Sequence, residues 1–201
     1  DKSRSRGLGD VYKRQYLVNQ FYSWTNNLVP NKFPTLDGDH PRMVIPFRDS
    51  NGDIFAYQGR AFGNEKPKYI TIILDDSVPK IFGLDRVDTT SDILVVEGPI
   101  DSLFIQNCIA VAQSDLRVPQ YKDKAILVPD NEPRNREVIK QIEKAIDENY
   151  RVVVWPDYVR QKDINDMILS GLDAVEIMDI ISNNTFQGLS AKVELQKWKR
   201  T

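Results

Sequence analysis

Four acidic residues stand where three apolar runs end. They are Glu97, Asp130, Glu132 and Asp163. Each run is rich in β-branched residues, which is typical of a buried strand, and glycine, proline or a carboxylate ends it. Because open α/β sheets bind ligands beyond the carboxyl ends of their strands, we expect these carboxylates to converge. Magnesium relieves the repulsion of such a group, so the sequence predicts a magnesium site suited to phosphoryl or nucleotidyl transfer.

Any one of these acids, taken alone, is better explained as a solvated turn residue on the protein surface. The explanation as a metal site depends on the whole set, because each acid occupies the same place relative to its strand. A metal site requires these carboxylates to lie close together in the fold, whereas the alternative places each of them in a solvated turn.

The composition of the 201-residue chain narrows the class of protein. No apolar run approaches the roughly 20 residues that span a bilayer, so we expect a globular, soluble and cytoplasmic protein, in the host cell if it is viral. The single cysteine, Cys108, cannot form an internal disulfide and is expected to be buried. The single histidine, His40, excludes a zinc finger within these residues. A net charge of −2 excludes the broad basic face of a tight duplex-DNA binder.

The first half of the chain has the pattern of a small β subdomain. Residues 16–27 are aromatic-rich and are predicted to form a helix. Alternating apolar and polar residues on both sides of Asn51-Gly52 predict a hairpin with a type I′ turn. The strand pattern continues through residues 66–74 and 78–87, so we expect antiparallel or mixed β structure from Arg42 to Val87.

After Thr90 the pattern changes to alternating strands and helices. The predicted strands are 93–97, 109–112, 125–129 and 151–155. The predicted helices are 134–149, 164–170, 174–182 and 190–199. This order predicts the α/β class, with a mostly parallel, Rossmann-like sheet flanked by helices, preceded by the small antiparallel or mixed β subdomain.

Residues 92–172 resemble the Toprim domain, the magnesium-binding α/β unit of bacterial-type primases, topoisomerases and some nucleases. The resemblance rests on Glu97-Gly98-Pro99-Ile100-Asp101, on the pair Asp130 and Glu132, and on Lys162-Asp163. Glu132 replaces the commoner aspartate of the second motif. The resemblance implies that Glu97, Asp130 and Glu132 are catalytic metal ligands. It also implies that Asp163 assists a second metal ion, and Asp101 and Lys162 are expected to support the site.

The segment before this domain resembles the polymerase core of DnaG-type DNA primases. The matching elements are residues 45–62, Pro67-Lys68-Tyr69, and Lys80 before Gly83-Leu84. The resemblance implies that Lys68, Lys80 and Arg60 contact nucleotide or template phosphates. The alternative for each is a solvated charge on a strand. Within the Toprim segment, residues 100–104 (IDSLF) and 130–135 (DNEPRN) are most similar to primases of T-even-type bacteriophages.

A primase of this type makes short RNA primers on single-stranded DNA from ribonucleoside triphosphates, using Mg²⁺ or its substitute Mn²⁺. The replicative helicase is expected as a separate chain, since no GxxxxGK[ST] loop is present. Two alternatives stay open: a Toprim nuclease or topoisomerase fragment, and a non-catalytic interaction module of the replisome.

The expected domain organisation has four parts. Residues 1–15 resemble adaptor-derived, non-native sequence, and 16–90 form the amino-terminal part of the primase core. Residues 91–172 form the Toprim domain and 173–201 the carboxy-terminal helices. Zinc is expected only in an upstream domain that the chain lacks.

Overall fold

A computed structural model describes residues 16–113 and 115–200. Residues 1–15, for which an adaptor origin is predicted, lie outside the described residues. The chain divides after Lys80 into two compact units, and each unit has its own sheet. Within the described ranges, no helix has the length and apolar character needed to cross a bilayer.

The first unit is an antiparallel sheet with one helix packed on it. The strands lie in the order β1-β2-β3-β4. The elements are β1 (Tyr16–Val18), α1 (Phe21–Leu28), β2 (Arg42–Arg48), β3 (Ile54–Ala61) and β4 (Tyr69–Ile73). Phe21 of α1 packs with Tyr57 and Ile72 in the core of this unit. The predicted hairpin and the third strand are therefore confirmed.

The prediction of a helix over residues 16–27 is wrong for the first residues of that range. Tyr16 pairs with Val44, so the segment begins as a short strand. The helix starts only at Phe21, where the carboxylate of Asp39 accepts hydrogen bonds from the N–H groups of Tyr22 (2.7 Å) and Ser23 (3.0 Å). Because this cap comes from a distant part of the chain, local sequence does not reveal it.

The type I′ turn predicted at Asn51-Gly52 is also wrong. The Gly52 N–H donates to the Asp49 carbonyl (3.0 Å), and the positive φ of 90° falls on Gly52 alone in this turn. A type I′ turn requires positive φ at both central residues. The Asp49 carboxylate accepts from the N–H groups of Asn51 and Asp53, both at 2.9 Å, and so stabilises the longer loop.

The second unit is a mostly parallel sheet with helices around it. The strand order is β6-β5-β7-β8-β9, and only β9 is antiparallel. The strands are β5 (Ile93–Val96), β6 (Cys108–Ala110), β7 (Ala125–Leu127), β8 (Arg151–Val153) and β9 (Thr185–Phe186). The helices are α2 (Arg136–Asp147), α3 (Ile164–Leu169), α4 (Ala174–Asn183) and α5 (Gly188–Trp198). The predicted α/β class is confirmed.

Three details of this unit differ from the prediction. A single 3₁₀ turn, Asp101–Leu103, stands between β5 and β6 in place of a crossover helix. The short strand β9 is absent from the strands that the sequence predicts. Phe82 pairs with Ala110, so residues 81–90 associate with the second sheet, although the sequence predicted residues 78–87 as part of the first block. The four-part domain division itself stays a prediction. Cys108 is buried as expected.

Candidate divalent-metal site at the carboxyl ends of the parallel strands

Glu97 is the first residue after β5, and it faces the loop that follows β7. Its carboxylate accepts a hydrogen bond from the N–H of Asp130. The pKa of Glu97 is raised to about 7, first by burial and then by the negative charges of Asp130 and Glu132, while the nearby Lys162 ammonium opposes the rise. Glu97 is therefore a partly buried acid in a negative environment, where a cation would favour its ionised form.

Asp130 and Glu132 follow β7 and share one cationic neighbour. The Lys162 Nζ lies 3.3 Å from Asp130 Oδ2 and 3.5 Å from Glu132 Oε1. Burial raises the pKa of Asp130, although the Lys162 ammonium opposes the rise. Burial lowers the pKa of Lys162, but the two carboxylates raise it more, so the net shift is upward. The acid pair is thus held together by a lysine.

Asp163 follows β8 at the start of α3 and caps that helix. Its Oδ1 accepts from the N–H of Asp166 at 2.8 Å. The charge of Asp163 contributes to the raised pKa of both Asp101 and Asp130, which places it beside them. One oxygen of Asp163 is committed to the helix cap, and Oδ2 remains for a ligand.

Asp101 links the 3₁₀ turn after β5 to the start of α3. Its Oδ1 accepts from the N–H of Asn165 at 2.9 Å. The pKa of Asp101 is raised to about 7, mainly by burial; the hydrogen bond from Asn165 opposes the rise, and the charges of Asp163 and Asp130 add to it. A Cβ at Gly98 would collide with Asp101 Oδ2, which explains the glycine in the EGxxD spacing. The expected supporting role of Asp101 stays a prediction, but its hydrogen bond is of the expected kind.

The donor set fits a magnesium ion. It consists of carboxylate oxygens, which are the hard ligands that Mg²⁺ prefers. The pKa values of Glu97, Asp101 and Asp130 are raised first by burial and then by neighbouring carboxylates, and a bound cation would oppose both effects. Across the described ranges, no three His, Cys, Asp or Glu side chains already have the spacing of a metal site. Lys162 supplies the positive charge instead. A bound ion would therefore have to displace the Lys162 ammonium and draw the carboxylates together.

Three residues that sequence reasoning missed hold the loops of this site: Asn131, Trp155 and Trp198. Trp155 Nε1 donates to the carbonyl of Pro129 at 2.7 Å, and Trp198 Nε1 donates to Asn131 Oδ1 at 3.0 Å. Asn131 lies between the two acids of the second motif. Its position in that motif is the one signal in the sequence that could have pointed to it.

The basic residues predicted to contact phosphates lie in the first unit. Arg60 and Lys68 each place a charged group 5.7 Å from the centre of the Tyr69 ring. Lys80 lies in the loop that follows β4. The structure thus brings Arg60 and Lys68 together on an exposed aromatic residue. The role of all three in phosphate binding stays a prediction.

Comparison with known proteins identifies the fold. No protein-family profile matches the chain. The chain is 39% identical over 196 residues to the DNA primase of Enterobacteria phage T4, covering 95% of this chain and 57% of the relative. The E. coli primase catalytic core superposes with a TM-score of 0.56 at 20% identity, over 96% of this chain and 63% of that chain. A DnaG primase catalytic domain bound to single-stranded DNA superposes with a TM-score of 0.58 at 21% identity, over 76% of this chain and 54% of that chain.

The structure therefore has the fold of a primase catalytic core. The resemblance stated from the sequence is confirmed, and the chain is a homologue of the DNA primases. It spans 57% of the length of its phage T4 relative, little more than half.

Proposed function

We propose that this chain is the catalytic core of a DNA primase that synthesises short RNA primers on single-stranded DNA by metal-dependent nucleotidyl transfer. The observation that carries the proposal is the convergence of Glu97, Asp130 and Glu132 at one end of the parallel sheet. Similarity to the phage T4 primase over 95% of the chain supports it. The fold shared with a primase domain bound to single-stranded DNA supports a single-stranded template.

Glu97, Asp130 and Glu132 would hold one or two Mg²⁺ ions, or Mn²⁺ in their place. When bound, the ions supply the positive charge that activates the attacking 3′-hydroxyl and stabilises the pyrophosphate leaving group. Asp163 would assist the second ion through Oδ2, because Oδ1 caps α3. Partial burial of Glu97 limits its contact with water, so the attraction between its carboxylate and a metal ion is screened less than it would be at the surface.

Arg60, Lys68 and Lys80 would neutralise the phosphates of the template or of a ribonucleoside triphosphate. Tyr69 is 40% exposed, and its ring lies near both the Arg60 and the Lys68 cations. Exposed aromatic rings among cations are typical of single-stranded nucleic-acid sites, because bases stack on the rings while the cations contact the backbone. A replicative helicase would act with this chain as a separate protein.

Extension of an RNA oligonucleotide annealed to single-stranded DNA, with ribonucleotides and Mg²⁺ or Mn²⁺, tests this function. The annealed primer removes any need for start-site recognition. The parent chain and Glu194→Gln should extend the primer, and Glu97→Gln should not, although it folds. Glu194 is a matched control because it pairs with Lys197 on the surface of α5. Equal extension by Glu97→Gln would remove the acidic site from the mechanism.

The same samples discriminate between the two alternatives. Metal-dependent nicking of supercoiled plasmid, without primer extension, would identify a Toprim nuclease or a topoisomerase fragment. Neither reaction, together with no binding of Mg²⁺, would identify a non-catalytic module whose acids only solvate the end of the sheet.

A further inference from the structure

The side chain of Asn131 connects three parts of the second unit. Its Nδ2 donates to the carbonyls of Val159 (3.0 Å) and Gln161 (3.1 Å) in the loop after β8. Its Oδ1 accepts from Trp198 Nε1 (3.0 Å) at the end of α5. Its backbone N–H donates to the carbonyl of Lys162 (2.6 Å). Both amide protons and the amide oxygen of this side chain therefore have partners.

These hydrogen bonds fix the loop that carries Lys162 and Asp163. The loop 159–162 has no strand or helix to hold it, so its carbonyls depend on bonds from elsewhere. Asn131 supplies three of those bonds from a position directly between Asp130 and Glu132. A shift of the loop would therefore move Lys162 and Asp163 relative to the acid pair.

Helix α5 also holds Asn131 in place. The Trp198 side chain is buried, and its indole N–H has Asn131 Oδ1 as partner. Arg200 adds a second link, since its N–H donates to the carbonyl of Pro133 at 2.9 Å. Helix α5 and the residues directly after it are thus attached on both sides of Glu132, to residues 131 and 133.

We propose that Asn131 is a positioning residue of the divalent-ion site, which sets the loop 159–163 against the acid pair and is itself oriented by Trp198. This proposal rests on the proposed function, because it assumes that the acid pair binds a metal ion. Asparagine suits the position because it both donates twice and accepts. An aspartate would lack the two donors and would place its charge against the carbonyls of Val159 and Gln161.

A second asparagine in the same unit provides a matched control. Asn107 Nδ2 donates to the carbonyls of Asp88 (2.9 Å) and Asp92 (2.7 Å), and its Oδ1 accepts from the Asp88 N–H (2.7 Å). It makes the same number of side-chain bonds as Asn131. It directly precedes β6, at the amino end of that strand and away from the carboxyl-end acids.

The test compares Asn131→Ala with Asn107→Ala in two measurements. One is amide hydrogen exchange of residues 159–163, and the other is Mn²⁺ affinity by electron paramagnetic resonance. We expect Asn131→Ala to accelerate exchange in this loop and to weaken Mn²⁺ binding about tenfold, the scale for lost second-layer contacts at a metal. Asn107→Ala should change the exchange rates of this loop and the Mn²⁺ affinity by less than twofold, even if it lowers the melting temperature.

The outcomes separate this inference from the proposed function. A folded Asn131→Ala with unchanged Mn²⁺ affinity, or an equal loss in Asn107→Ala, overturns the positioning role alone. A parent chain that binds no Mn²⁺ overturns the proposed function, and the inference with it. If Asn131→Ala does not fold, Trp198→Phe decides, since it removes the Nε1 donor and keeps an aromatic ring at this position. A threefold loss of Mn²⁺ affinity supports the role, and unchanged affinity overturns it.

Discussion

Lys162 Nζ lies 3.3 Å from Asp130 Oδ2, so a lysine ammonium stands against a proposed metal ligand. Its 3.5 Å contact with Glu132 completes a three-residue arrangement in which one cation faces two carboxylates. In the absence of a divalent ion, this ammonium offsets part of the repulsion between the acids. A metal ion and Lys162 should therefore compete for the same carboxylate oxygens.

Lys162→Met should strengthen Mn²⁺ binding, because it removes the competing cation and keeps much of the side-chain volume. Lys162 is about half exposed, so its ion pairs contribute about 1 kcal/mol or less, and we expect about a fivefold gain in affinity. Electron paramagnetic resonance titration of the metal measures this gain. Lys192→Met, which removes a lysine paired with Asp147 on the surface, is the control and should leave the affinity unchanged. Weaker Mn²⁺ binding by Lys162→Met would contradict competition.

The metal-free chain should lose stability as the pH rises from about 5 to 8. The pKa of Glu97 is raised from 4.5 to about 7 and that of Asp101 from 3.8 to about 7. Between the ordinary and the raised values the folded state binds more protons than the unfolded state, so stability falls with pH through this window and levels off above it. Thermal melts in EDTA at pH 5.5 and 8 measure the change.

Glu97→Gln isolates this effect from other titrating groups, because every other residue is unchanged. Between pH 5.5 and 8, the melting temperature of the variant should fall by less than that of the parent chain. Saturating Mg²⁺ should flatten the pH dependence of the parent, because the ion favours the ionised carboxylates. A parent chain whose melting temperature rises over this range would contradict the raised pKa values.

Asp101→Asn should retain metal affinity, whereas Asp101→Ala should lose stability. An asparagine can still accept the hydrogen bond from the Asn165 N–H, and it carries no charge into this partly buried position. Alanine leaves that N–H without its partner, at a cost of about 1–3 kcal/mol if water cannot reach it. Mn²⁺ titration and thermal melts of both variants check this. A loss of Mn²⁺ binding in Asp101→Asn as large as that in Glu97→Gln would make Asp101 a ligand.

Lys68→Gln should weaken binding of an oligothymidylate by removing one phosphate contact. For single-stranded DNA, each lost contact lowers the slope of log affinity against log salt by about 0.7. Fluorescence anisotropy at several salt concentrations measures this slope. Lys192→Gln is the control. An unchanged slope in Lys68→Gln would support the alternative of a solvated strand charge.

Tyr69→Ala tests the exposed ring beside Lys68 separately from the charge. It should weaken oligothymidylate binding while leaving the salt slope unchanged, because stacking carries no counterion release. A changed slope with unchanged affinity at low salt would contradict a stacking role for Tyr69.

The sequence predicted the strands of the second unit because each is a short, fully apolar run between polar turns. Val95 is completely buried between its neighbouring strands, and such burial requires the continuous hydrophobic pattern that was visible. The carboxyl-end position of Glu97 and Asp130 followed from that pattern and from the common direction of parallel strands. These parts of the fold were predictable because they depend on local composition.

The parts that the sequence did not predict depend on partners far away in the chain. Helix α1 starts where Asp39, 17 positions after Tyr22, caps it. The role of Asn131 depends on Trp198, 67 positions later. The periodic pattern of apolar residues does not reveal such hydrogen bonds, because they are made between segments that the fold brings together.

A crystal of the chain soaked in MnCl₂ tests the central claim most directly, because anomalous scattering locates the ion. The predicted result is an anomalous peak within about 2.3 Å of carboxylate oxygens of Glu97, Asp130 and Glu132, with the Lys162 ammonium displaced from Asp130. A peak bound elsewhere, or acids that keep their contacts with Lys162 at saturating Mn²⁺, would contradict the assignment of these carboxylates as the metal site.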